Sequence, residues 1–161
     1  MLRPSHHLRR LAPGDAALWR DIRREAHGSD PAAFSEAHAD LSDRPLEDFA
    51  AGLSAMPVWA VVGGGRAIAV AGWSDDAADP ARVWLDSVYV SPPVRGRGLA
   101  RRVISAAEAD ARAAGKREIW LEVRESNAAA RALYARLGYA EAAVPCDPAN
   151  SAGGLTMRKA L

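Results

Sequence analysis

Val88-Tyr89-Val90-Ser91-Pro92-Pro93-Val94-Arg95-Gly96-Arg97-Gly98-Leu99-Ala100 joins the end of a strand, a loop with two glycines and the start of a helix. Pro92-Pro93 ends the strand, because proline cannot donate to a sheet ladder. From Leu99 an Ala-rich run predicts a helix over residues 99–114, which Gly115 stops. The first N–H groups of a helix have no intrahelical partner, and the macrodipole is positive there. Glycines let such a backbone approach a ligand closely. Together these features make a cradle for a pyrophosphate. Arg95, Arg97, Arg101 and Arg102 add positive charge on either side. The plainer reading is a solvated Arg-rich loop that turns the chain. Two familiar phosphate motifs do not fit: no Gly-Lys-Ser/Thr ending is present, and Gly96-x-Gly98 lacks the third glycine of a dinucleotide fingerprint.

Upstream of this stretch, residues 83–90 read as a strand. Leu85, Val88 and Val90 cannot share one face of a regular strand, since side chains alternate, and a β-bulge between Leu85 and Val88 reconciles them. Residues 58–62 and 67–73 are rich in Val, Ile and Trp and flank Gly63-Gly64-Gly65, a hairpin signature. Further back, a short strand is expected at 8–11 and an amphipathic helix at 16–27 behind Asp15, with Leu18, Trp19, Ile22 and Ala26 at helical spacing. A second helix is expected at 45–53. Downstream, Ile119, Leu121 and Val123 alternate in a strand at 118–123. Ser126 or Asn127 then caps a helix that runs to Leu137 before Gly138. Residues 139–144 and 155–161 read as final strands around a Pro/Gly-rich loop. Hairpins plus one strand–helix–strand unit imply an α+β fold: a mixed sheet with helices packed on it.

The chain has 161 residues, 49% apolar, which suits one domain over residues 1–161 and rules out a wholly disordered chain. The skew toward 36 Ala and toward 19 Arg over 2 Lys reads as coding bias. A net charge of +1 argues against a dedicated nucleic-acid binder. Yet four arginines and no acid lie between Ser87 and Ala107, so one compact anion site is allowed. The single cysteine, Cys146, excludes an intrachain disulfide and a Cys-rich zinc module. His6, His7, His27 and His38 lack metal-site spacing, so no metal is expected. No apolar run approaches the length of a membrane span, and residues 1–11 lack the apolar core of a signal peptide, so a cytoplasmic protein is expected.

Arg95-Gly96-Arg97-Gly98-Leu99-Ala100 resembles the Arg/Gln-x-x-Gly-x-Gly/Ala signature of the GNAT superfamily of N-acetyltransferases. Leu85-Asp86-Ser87-Val88-Tyr89-Val90 resembles their fourth strand, bulge included. Trp120-Leu121-Glu122-Val123-Arg124, followed by Ser126-Asn127 and Ala130-Arg131-Ala132-Leu133-Tyr134-Ala135-Arg136-Leu137-Gly138-Tyr139, resembles their second conserved block. Two motifs in the right order are far more specific than either alone. The resemblance implies a GNAT fold, a mostly antiparallel sheet with a splayed central strand pair flanked by helices. It also implies acetyl-CoA as donor and acetylation of an amine by direct attack in a ternary complex.

The resemblance also implies roles. Backbone groups from Arg95, Gly96, Arg97, Gly98, Leu99 and Ala100, with Arg101 beside them, would bind the CoA pyrophosphate. The pantetheine arm would pair with Val88, Tyr89 and Val90 like an added strand. An N–H near Val88 would face the thioester oxygen as an oxyanion donor. Asn127 would contact CoA or order the adjacent loop, and it also suits a plain N-cap. Tyr134 would protonate the departing thiolate as general acid, or else be a core aromatic on the face made with Ala130, Leu133 and Leu137. Glu122 and Asp86 compete as general base. Glu122, in its Glu-Val-Arg…Asn…Leu-Tyr context, resembles the base of members that acetylate ribosomal-protein N-termini and is preferred slightly. Asp86 lies beside the bulge, where other members carry an acid. Some members use no side-chain base, and each carboxylate also suits a solvated ion pair.

In this fold the acceptor is shaped by the first two helices and the loop before the last strand, here residues 16–53 and 145–154. Asp30, Glu36, Asp40, Asp43, Glu47 and Asp48 in the first segment would suit a cationic amine such as a polyamine, an aminoglycoside or a peptide N-terminus. Trp19, Trp59 or Trp73 could floor the cleft, and His27 and His38 could line it. Many relatives are dimers, so a homodimer is a further expectation. The alternative function is a non-catalytic acyl-CoA-binding or sensing module on the same fold.

Overall fold

Gly64 and Gly65 take φ of +60° and +74°, and this two-residue turn reverses the chain between β2 (Val58–Gly63) and β3 (Arg66–Asp75). Both turn positions need the left-handed region that glycine enters without steric cost. The hairpin is the centre of one half of the sheet. The computed structural model describes residues 5–30, 43–143 and 154–161. In chain order the remaining elements are β1 (His7–Arg10), a 3₁₀ turn (Pro13–Asp15), α1 (Ala16–Ser29), α2 (Leu46–Ala55), β4 (Arg82–Val90), a second 3₁₀ turn (Pro92–Val94), α3 (Leu99–Ala113), β5 (Glu118–Arg124), α4 (Ala128–Arg136), β6 (Ala140–Glu141) and β7 (Gly154–Ala160). The expected order of elements is realised. The expected final strand at 139–144 shrinks to β6 within the described residues, and Val144 lies outside them.

Seven strands form one sheet in the order β1-β2-β3-β4-β5-β7-β6. Every neighbouring pair is antiparallel except β4–β5. That parallel pair is short: Arg82, Val83 and Trp84 face Glu118, Ile119 and Trp120, and no pairing follows. Beyond it, β4 stays bonded to β3 and β5 to β7, so the two halves of the sheet diverge.

One face of the sheet carries α3. Its Leu99, Val103, Ile104, Ala107 and Ala111 recur at helical spacing and pack with Val61, Ala69, Ala71, Val83, Leu85, Ile119, Leu121 and Val123. The other face carries α1 and α2, where Ala16, Trp19, Ile22, Ala26, Phe49 and Leu53 cover Val58, Ala60, Val70 and Tyr89. Asp15 precedes α1 as expected but does not cap it. Its carboxylate instead accepts from the Ala12 N–H at 2.8 Å and from both terminal nitrogens of Arg9 at 2.8 and 2.9 Å. These bonds, the Arg9 side chain foremost, hold its pKa below the usual carboxylate range.

Candidate active site

The bulge expected in β4 is present. Val70 of β3 faces Tyr89 and Gly72 faces Asp86, so Ser87 and Val88 together oppose Ala71. Ser87 sits at φ +55°, the one left-handed residue other than glycine among the described residues. A β-carbon in that region is strained, and such positions cluster at functional sites. Asp86 and Ser87 line one side of a cavity of about 270 Å³ whose other walls come from Trp19 and Arg23 of α1, from Asp48, Phe49, Gly52 and Ala55 of α2, and from Arg44 and Met56. Ser87 Oγ accepts from Arg23 Nη1 at 3.0 Å and donates to Asp86 Oδ1 at 3.3 Å. Burial pushes the Arg23 guanidinium pKa down, against the opposing pull of the Asp86 charge. Tyr134 and the two carboxylates lie on opposite sides of the sheet. Glu122 alternates with Leu121 and Val123, which belong to the α3 face, so it shares the opposite face with Asp86. It is exposed and stands across from Thr156 of β7.

Tyr134 is 8% exposed in the core on the α3 side. Its ring meets Tyr139 edge-on at 5.7 Å. Tyr139 in turn donates to Glu108 at 2.9 Å, and Lys159 donates to the other oxygen of the same buried carboxylate at 2.9 Å. Burial raises the Tyr134 phenol to about 12, so it carries its proton throughout the neutral range. Burial, then the neighbouring Glu108, raises Tyr139 as well. Such a phenol can donate a proton and does not serve as a base. The face expected for Tyr134, with Ala130, Leu133 and Leu137, is the one that packs on this core.

After β4 the chain turns through Gly96 at φ +76° and Gly98 at φ +75°, and Gly98 stands at the N-cap of α3. An added Cβ at either glycine would meet nothing within 4 Å, so the turn opens to solvent. No acid stands in the first turn of α3, and its first intrahelical bond is from Arg102 to Gly98. The N–H groups of Leu99, Ala100 and Arg101 therefore have no intrahelical acceptor. The Leu99 side chain is buried, and Ala100 is half-buried. Arg97, Arg101 and Arg102 are exposed and form no ion pair among the described residues. Arg95 differs from them: its Nε donates to the Val90 carbonyl at 2.9 Å, and its Nη2 pairs with Asp30 at 3.0 Å. It ties the loop to α1.

The outer residues of β4 divide. Val88 and Val90 pack from the α3 side. Tyr89 is 5% exposed among the α1 residues, with its hydroxyl 3.2 Å from Glu25 and the loop's Arg95 guanidinium over its ring at 5.7 Å. Asn127 caps α4: its Oδ1 accepts from the Ala130 N–H at 3.1 Å. Trp19 lines the cavity, whereas Trp73 donates to Asp110 at 3.0 Å inside the other core. His27 borders a small crevice beside Trp19 and Arg23. Glu36, His38, Asp40, Cys146 and most of the 145–154 loop lie outside the described residues. Arg23 is the site residue the sequence reading did not single out. Its signal was an arginine inside the apolar stripe Trp19, Ile22, Ala26.

The sheet thus opens between β4 and β5, and the turn after β4 presents three helix-start amides without intrahelical acceptors. The chain belongs to the acetyltransferase (GNAT) family, whose model matches residues 18–139. The [ribosomal protein bS18]-alanine N-acetyltransferase of Salmonella typhimurium is 42% identical over 60 residues, 37% of this chain and 40% of that protein. The match therefore spans well under half of that relative's length. In structure, a GNAT-family acetyltransferase of Streptococcus pneumoniae superposes with a TM-score of 0.80 at 18% identity, over 98% of this chain and 99% of that one. The PaiA N-acetyltransferase of Thermoplasma acidophilum, solved in complex with coenzyme A, gives 0.74 at 16% identity over 98% and 99%. Among the described residues no cluster of His, Cys, Asp and Glu could hold a metal ion, and no helix is long and apolar enough to cross a membrane.

Proposed function

We propose that residues 1–161 form one acetyltransferase domain that moves an acetyl group from acetyl-CoA to a primary amine by direct attack in a ternary complex. The observation that carries this reading is the parallel β4–β5 pair that stops after three residue pairs, with the Gly96–Gly98 turn at the end of β4. The pyrophosphate sits on the free amides of Leu99, Ala100 and Arg101, flanked by Arg97. The pantetheine arm runs along residues 88–90 as an added strand. The Val88 N–H, displaced by the bulge, donates to the thioester oxygen as it becomes negative.

The two faces of the sheet then divide the chemistry. The amine comes from the α1–α2 side, where Asp86 lines a cavity of acceptor size, and Asp86 takes its proton directly or through water. The nitrogen bonds to the acyl carbon and the carbon–sulfur bond breaks. The leaving sulfur emerges on the side of Tyr134, whose phenol supplies the proton that makes CoA–SH. Glu122, exposed on the acceptor face but outside the cavity lining, acts as a secondary carboxylate. The test is thermal melting with acetyl-CoA, together with CoA release over a broad amine panel. A higher Tm and amine-dependent CoA release are expected. No shift at saturating acetyl-CoA and no CoA release with any amine would overturn the reading. A shift without turnover would leave a non-catalytic acyl-CoA-binding module.

A further inference from the structure

The acceptor cavity carries both signs of charge: Arg23 and Arg44 on its walls with Asp48 and Asp86. Arg23 is the informative one. Its guanidinium lies over the Trp19 ring at 4.9 Å and, among the described residues, donates to Ser87 Oγ at 3.0 Å. Its Nε is buried without a hydrogen-bond partner, and the side chain forms no ion pair among the described residues. Arg9, by contrast, is exposed and still grips Asp15 with two bonds of 2.8 and 2.9 Å. Asp86 acts on it only from behind Ser87, with no direct ion pair. A guanidinium partly drawn out of water without a direct counter-anion is costly, and a fold that needed Arg23 only for packing would do better with an apolar residue. Its planar fork matches a carboxylate. Ser87 joins the two poles, since its Oγ touches both Arg23 and Asp86.

We propose that the acceptor is an amino-carboxylate, a small molecule whose primary amine faces Asp86 and whose carboxylate binds Arg23. The inference rests on the acetyltransferase reading above. The cavity, about 270 Å³, suits one amino-acid-sized molecule, below the usual span of drug-sized sites. A polyamine or an aminoglycoside offers nothing to Arg23. A peptide N-terminus carries an amide where the carboxylate would be. The acidic residues in the N-terminal helical region suggested a cationic acceptor, and the cavity changes that expectation, because its two acids are matched by two arginines.

The test uses the full chain with saturating acetyl-CoA and reads CoA release for matched pairs: α- and ω-amino acids against their carboxamides, with a polyamine and a tripeptide alongside. The acid is expected to exceed its carboxamide by about 10–100-fold in kcat/KM, the range of one charged hydrogen-bonded contact. Arg23→Met is expected to bring that ratio close to one, mainly through the acceptor KM, with the acetyl-CoA-induced Tm shift retained. Arg23→Lys should recover part of the preference. A carboxamide or polyamine used as well as the acid would overturn the inference. So would an equal loss of acid and amide rates in Arg23→Met, or no turnover of any carboxylate-bearing amine. The wild-type ratio decides even if Arg23→Met fails to fold. Loss of the acetyl-CoA shift in the wild type would strike the acetyltransferase reading itself. A shift with turnover of other amines alone would strike only the acceptor class.

Discussion

The two faces of the sheet at the β4–β5 gap are built in different ways. On the α3 side, the groups proposed for the cofactor come from one continuous stretch, the end of β4 through the first turn of α3, and they are mostly backbone. On the α1–α2 side, the cavity gathers Arg23, Asp48 and Asp86 from three elements far apart in the chain, and they are side chains. A backbone site tolerates side-chain change if the turn keeps its shape. A side-chain site can be retuned one residue at a time.

Tyr134→Phe should give the largest effect, a fall in kcat of about 100-fold or more with acetyl-CoA affinity retained, since a positioned general acid contributes on that scale. Steady-state kinetics beside a Tm titration with acetyl-CoA would show it; an unchanged kcat would make Tyr134 a packing residue only. On the opposite face, Asp86→Asn should lower kcat by about 10–100-fold, whereas Glu122→Gln should change it by about 3-fold or less. The reverse order would move the base to β5. Gly98→Val forces a β-branched residue to φ +75° at the helix start. The acetyl-CoA KM should rise about 10-fold while the acceptor KM stays put, because the strain costs roughly 1–2 kcal/mol and displaces the amides. Equal change in both KM values would mean the two faces are not independent.

The smallest effect concerns stability. An unfolded tyrosine ionises near ~10, and the fold holds Tyr134 up to about 12. Its contribution is therefore complete below the unfolded value and is lost as pH rises through the folded one. Between pH 10 and 11 the wild type should lose about 1 kcal/mol more than Tyr134→Phe in urea unfolding. Parallel curves would mean that Tyr134 is more solvated than its burial implies.

How far the sequence could be read follows the same division. The hairpin at Gly64-Gly65, the bulge before Val88 and the loop before Leu99 were legible because each depends on neighbours in sequence. The splay of β4 from β5 was legible only through the family resemblance, and its point of onset not at all, since it depends on how two elements diverge. Nor was Arg23, because an arginine on a helix usually points its head to water, and only the approach of the bulge turns it into a wall. Arg95 looked like one of four phosphate-facing cations, and its bond to Val90 and its pairing with Asp30 were invisible until α1 was placed. Asn127 was readable as a cap and forms one.

The early end of the β4–β5 ladder also bears on solubility. Residues 85–90 and 121–124 present two strand edges toward each other inside the sheet, bridged only at Arg82–Trp84. Strand edges with free N–H and C=O groups are templates for pairing with another chain. An extended molecule lying along β4 would occupy such an edge, much as an eighth stave closes a cask. The acyl donor would then serve the protein as a guard against self-association as well as a reagent, and preparations kept with CoA should tolerate heating and concentration better than those without it.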